Sequence, residues 1–172
     1  MTSRSTLPCF ALVCAFAVFT ASACAAVPHA GKPMADAFEA APKARLSRDE
    51  LINVGGWKLD TATATEGAAL EALFAAGMSY ELKFDADGTA TANGGCNTLR
   101  GEYRATSNRV ELDLSISTRM ACEDAKNQAD AQMSALLKGT FKAELRETQP
   151  MRLRLTGPGG EVLTLSALPL SL

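Results

Sequence analysis

The chain has 172 residues, a formal charge of −2, 47% hydrophobic and 21% charged residues, so it is long enough to bury one full core and needs no metal merely to fold. Its charges are interspersed and nearly balanced, which excludes the basic stripe that tracks a phosphate backbone, and no nucleic-acid partner is expected. The single histidine, His29, lies in a Pro/Ala-rich stretch, which takes the commonest general base and metal ligand out of the rest of the chain.

In chain order, Arg4 is followed by an uncharged apolar run from Leu7 to Phe19 and then by the small residues Thr20-Ala-Ser-Ala-Cys-Ala-Ala26. This is the pattern of a secretory signal peptide, assigned to residues 1–23. A membrane-spanning helix needs about 20 apolar residues, and this run closes too early for one. Ala21-Ser22-Ala23-Cys24 is similar to a bacterial lipobox, which marks Cys24 for lipidation and a lipid anchor to the outer membrane. Ala21-x-Ala23 and Ala23-x-Ala25 equally suit ordinary cleavage to a free periplasmic protein, and both outcomes stay open. Cys9 and Cys14 are apolar filler of the leader. Residues 24–46 mix Pro, Ala, Gly and scattered charge without an apolar period and are assigned as a tether.

The folded domain is expected over 47–172. It opens at Ser47-Arg-Asp-Glu50, whose S-x-x-E spacing predicts a capped helical turn. From Trp57 the pattern becomes mostly period two and predicts eight strands. These are Trp57–Ala62, Ser79–Phe84, Thr89–Asn93, Gly101–Ala105, Arg109–Ile116, Phe141–Glu147, Met151–Thr156 and Glu161–Ser166. The second and third form a hairpin around the turn Asp85-Ala-Asp-Gly88. Two helices interrupt the meander. A shorter one has Leu70, Leu73 and Phe74 on one face, and a longer one carries the stripe Ala125, Ala129, Met133, Leu136 and Leu137. The fold class is α+β: a mostly antiparallel, partly open β-barrel-like sheet of about eight strands packed with one longer and one shorter helix.

The stretch Gly94-Gly-Cys-Asn-Thr-Leu-Arg-Gly-Glu-Tyr103 concentrates chemically unusual residues. A phosphate cradle would require a glycine loop that opens a helix with a Lys-Ser/Thr pair, and a strand follows instead. A calcium loop centred on Gly88 fails, because Lys83 and Gly94 fall where carboxylates are required. Zinc is unsupported, since Cys96 and Cys122 lack C-x-x-C partners and a nearby histidine. No metal and no cofactor are expected. The remaining reading is a corner, in which the glycines bend the strand or allow a close backbone approach and Asn97 bonds local backbone. Arg100, Arg119 and Glu123 are read as solvated charges near it.

Gly95-Cys96-Asn97, Gly101-x-Tyr103 and Thr118-x-Met120-Ala121-Cys122, with Trp57 upstream, occur in an order that resembles the META domain, the HslJ-like family, over about residues 50–167. The Ala/Leu-rich segment between Trp57 and Tyr80 departs from it. The resemblance implies a small mixed domain on a partly open barrel, similar to a type III secretion pilotin. It also implies bacterial envelope proteins, often lipoproteins, linked to heat shock and novobiocin tolerance. Cys96 and Cys122 are the two cysteines beyond the leader and its cleavage region, 26 positions apart. In an oxidising periplasm such a pair reads as a disulfide, with two separate buried thiols as the alternative.

The functional expectation is a non-catalytic, monomeric stress-tolerance module of the periplasm whose motif residues are structural. Its partner would be an unknown envelope protein or an apolar ligand. The alternatives are a hydrolytic enzyme using Asp85, Asp87, Glu102 and Asp113, or a pilotin-like chaperone of another envelope protein.

Overall fold

In the computed structural model, which describes residues 37–170, the alternating pattern becomes nine strands in a single antiparallel sheet. They are β1 (Lys43–Ala44), β2 (Gly56–Thr63), β3 (Glu81–Phe84), β4 (Thr89–Asn93), β5 (Leu99–Thr106), β6 (Arg109–Ser117), β7 (Lys138–Arg146), β8 (Arg152–Thr156) and β9 (Val162–Leu168). The leader and Cys24 lie outside the described residues. Around the sheet the order is β7-β6-β5-β4-β3-β2-β9-β8, and β8 pairs back onto β7, so these strands close into a barrel. The antiparallel, barrel-like sheet read from the sequence is therefore present, closed where partial opening was allowed for.

Closure follows from how β7 divides its two edges. One edge pairs Lys138–Lys142 with β6, and the other pairs Lys142–Arg146 with β8. The edge that β6 leaves free beyond Lys142 is taken by β1, with Lys43 opposite Arg146 and Ala44 opposite Leu145. An eight-stranded ring is just wide enough for side chains to fill it. Leu59, Leu82, Phe84, Leu112, Phe141, Leu153 and Leu163 are all at most 2% exposed and belong to one continuous core.

Helix α1 (Arg48–Ile52) starts as its sequence predicts: the Ser47 hydroxyl accepts the Glu50 N–H at 3.1 Å. It places the Leu51 carbonyl where the fully buried Trp57 indole N–H donates to it, at 3.1 Å. Helix α2 (Asp124–Leu136) buries Ala129 and Met133 of the predicted stripe, while Ala125 at its first turn is exposed. The shorter helix is a 3₁₀ segment, Glu71–Gly77, with no side-chain cap at its start. Seven residues without a cap give too few hydrogen bonds to propagate an α-helix, and the tighter form suffices to bury Leu73 against α2.

The span assigned as a tether differs over its last residues. A helical turn at 37–40 buries Phe38, β1 joins the sheet, and Leu46 enters the core at 2% exposure. The packed body thus begins before residue 47, because an isolated aromatic and a two-residue strand carry no periodic signal.

Gly101 sits at the register shift between β5 and β6. A Cβ there would overlap the Asp113 carbonyl and lie 2.8 Å from Leu114 Cα, both backbone atoms that cannot rotate away. Gly101→Ala is expected to destabilise the domain by about 2 kcal/mol through forced strand separation. Urea denaturation checks it, and a loss below about 0.5 kcal/mol would show that the strands part freely.

Candidate functional site

The unusual residues of the sequence meet where the end of β4, the start of β5, the loop after β6 and α2 come together. The polar centre is Asp130, a carboxyl group on the buried face of α2 that is 5% exposed. Its Oδ1 accepts the Tyr80 hydroxyl at 2.8 Å. Its Oδ2 accepts three donors: the backbone N–H of Cys96 at 3.1 Å, the backbone N–H of Asn97 at 2.7 Å, and Asn97 Nδ2 at 3.1 Å. Four donors on two oxygens match a carboxylate's acceptor capacity, which is how a buried carboxyl is tolerated without a cation. Burial pushes the Tyr80 hydroxyl well above the usual phenol range, and its bond to Asp130 adds to the shift.

Gly95 is the residue that lets the chain come this close. A Cβ at that position would overlap Asp130 Oδ1 and stand 2.5 Å from the Tyr80 hydroxyl oxygen. Asn97 then works across the corner rather than on its own local backbone. Its Oδ1 accepts the Met120 N–H at 2.8 Å and the Thr118 hydroxyl at 3.1 Å. Thr118 Oγ1 in turn accepts the Thr98 N–H at 3.0 Å, and Thr118 N–H donates to the Thr98 carbonyl at 3.1 Å. Cys96 and Cys122 are joined by a disulfide with Cα atoms 6.1 Å apart, within the ordinary range. The Asn127 side chain donates to the Cys122 carbonyl at 2.9 Å and ties the bridge to the first turn of α2.

The motif residues therefore converge on one corner, except for Gly101 at the β5–β6 register shift, Tyr103 and Trp57. Tyr103 lies on β5, packs edge to face on Phe84 at 4.8 Å and donates its hydroxyl to the Asp85 carbonyl at 3.0 Å, bracing the hairpin. Trp57 sits under α1. The Met120 side chain is 59% exposed and Ala121 is exposed, so this part of the motif contributes through its backbone. Sequence reasoning missed Asp130 and Tyr80. The available signal was an acidic residue between Ala129 and Met133, three positions before Met133 and so on the apolar stripe of the helix.

The alternative carboxylate set is distributed differently. Glu102 and Asp113 are cross-strand partners, both exposed on the open outer surface of β5 and β6. Asp85 pairs with Lys83 at 3.3 Å. Asp87 accepts both the hydroxyl and the N–H of Thr89, bonds that hold its carboxyl below the usual range. Two of the four are thus occupied in a turn, while Glu102 and Asp113 line an open depression of about 170 Å³ on the outer surface with Tyr103, Arg104 and Glu111, a lining that includes neither Asp85 nor Asp87.

A closed antiparallel barrel of eight strands, locked at one corner by a disulfide and a buried carboxyl group, defines the class of protein. The chain matches the META domain model over residues 50–169 and belongs to that family. No curated protein matches it. Among solved structures it is similar to a protein from Burkholderia xenovorans determined by NMR, with 20% identity and a TM-score of 0.58 over 74% of this chain and 91% of that one. A DUF4847 family protein from Bacteroides vulgatus aligns at 15% identity and a TM-score of 0.46, over 70% of this chain and 96% of that one. The first likeness supports the fold.

Proposed function

We propose that this META domain is a non-catalytic module exported to the bacterial periplasm, with or without lipid on Cys24, that supports envelope stress tolerance by binding a partner on its outer surface. The observation that carries this reading is the use to which the motif is put. The polar side chains of Asn97, Thr118 and Tyr103 and the glycines at 95 and 101 are engaged in internal hydrogen bonds or close backbone approach. A structural disulfide agrees with the secretory leader in favouring an oxidising compartment. The packed barrel core favours an outer binding surface over an interior apolar ligand site. The link to heat and novobiocin rests on the family resemblance.

The test is a deletion strain challenged with heat and with novobiocin, then complemented. Native chain is expected to restore tolerance, and a chain carrying Glu102→Gln with Asp113→Asn is expected to restore it equally. Lost tolerance in that double variant, with unchanged thermal melting and a turnover activity that disappears with it, would replace the binding module by an enzyme.

A further inference from the structure

Residues 38–44 form a strap across the outside of the barrel at β7 and β8. Strand alternation points Arg146, Arg152 and Arg154 outward, yet Arg146 is only 4% exposed because the strap lies over it. Arg146 donates to the Ala41 carbonyl at 3.0 Å, to Glu39 at 3.3 Å and to Glu144 at 3.4 Å. Arg154 also donates to Glu39. The Phe38 ring is 1% exposed and lies against both guanidinium groups, 5.0 Å from that of Arg146 and 3.8 Å from that of Arg154. The strap then adds β1 to the free edge of β7, and the Glu147 N–H donates to the Pro42 carbonyl at 3.1 Å. Strand addition to a sheet edge is a recurring mode of peptide recognition, made here within one chain and supplemented by an aromatic anchor and a carboxylate bridge.

The strap is an incomplete occupant. Arg146 stands directly opposite Arg152, and Arg154 opposite Glu144; Arg146 and Arg154 share Glu39, Glu144 is divided between Arg146 and Lys142, and Arg152 has no carboxyl partner among the described residues. The buried N–H groups at Arg146 Nε, Arg152 Nη1 and Arg154 Nε find no acceptor among the described residues. The pairing of β1 extends over only two residues, and the Glu39 side chain that bridges the arginines is 60% exposed. A segment with the same aromatic, more carboxylates and a longer strand would satisfy this face better than the chain's own strap does.

We propose that the outer face of β7 and β8 is a docking site for an extended segment of a partner protein carrying an aromatic residue followed by carboxylates, with residues 38–44 as its built-in, displaceable competitor. The proposal deepens the surface-binding reading and can fail separately from it, because its test is binding in solution and not stress tolerance.

The probe is a fluorescent peptide with the sequence of residues 36–46, titrated into the full chain. The chain carrying Phe38→Ala with Glu39→Ala is expected to bind it saturably, about tenfold tighter than native chain, whose own strap competes. A peptide with Ala40→Glu and Ala41→Glu should bind tighter still, and adding Arg154→Gln to the chain should weaken binding by about tenfold. Three results would each overturn the proposal: a folded strap variant with no saturable binding, equal binding of a peptide lacking the Phe-Glu pair, or preference for phosphatidylglycerol vesicles over the peptide. Should the strap variant not fold, hydrogen exchange on native chain decides. The Glu147 amide is expected to exchange about 100-fold faster than the barrel amide of Leu59, which donates to the Tyr80 carbonyl at 2.8 Å. Equal protection of the two would mean that the strap is a fixed part of the barrel.

Discussion

Asp130→Ala is expected to lower the unfolding free energy by about 4 kcal/mol. The substitution removes the acceptor of four donors at once. Two of them, the Tyr80 hydroxyl and the Cys96 N–H, are fully buried and have no water to turn to, whereas the partly buried Asn97 groups regain some hydration. Leaving a buried donor unpaired costs about 1–3 kcal/mol each, and the cavity left by the carboxyl adds to it. Asp130→Asn separates the hydrogen bonds from simple packing. Its amide oxygen can still accept from Cys96 and Asn97 while its NH₂ donates to Tyr80, whose hydroxyl can turn and accept, so its loss should be only about 1–2 kcal/mol. Guanidinium denaturation of both variants checks the order. If alanine and asparagine were equal, or alanine cost under about 1 kcal/mol, the carboxyl would not be what holds the corner.

The same residue shows where local pattern stops being informative. The period-two runs gave the eight barrel strands because each buries one face, and their alternation appears directly in the burial of Val110, Leu112 and Leu114 on β6. The strands came out one to three residues short at β5 and β7. Leu99 and Arg100 lie before the glycine taken as the start of β5, and Lys138–Thr140 contain Gly139, a residue type that reads as the stop of the preceding helix and here lies inside the strand. Closure of the barrel depends on Lys142–Arg146 meeting Arg152–Thr156 while Lys138–Lys142 meets β6, a division of edges that no local pattern states. The corner was legible as glycines and cysteines that demand close approach. Its partners were not, because Tyr80 and Asp130 are 50 positions apart, and an acidic residue on the apolar stripe of α2 does not state which donors it meets.

Replacing Cys96 and Cys122 together by serine is expected to remove about 3.5 kcal/mol, since the bridge closes a loop of 26 positions in the unfolded chain. For a domain of this size that corresponds to a fall in Tm of about 10–15 °C. The native corner has enough bonds that do not involve sulfur to survive the change: Asn97 Oδ1 still accepts the Met120 and Thr118 donors, and Asp130 still accepts the Cys96-position N–H. The double variant should therefore fold with a native near-ultraviolet spectrum, and its loss should arise chiefly in the unfolded state. Dithiothreitol should lower the Tm of native chain to that of the variant and leave the variant unmoved. Because the bridge and Asp130 both hold residues 95–97 against α2, combining the cysteine variant with Asp130→Ala should depart from additivity by more than about 0.5 kcal/mol. Strict additivity, or a bridge worth under about 1 kcal/mol, would mean that disulfide and carboxyl stabilise separate parts of the domain, and the single corner inferred for the family motif would have to be divided.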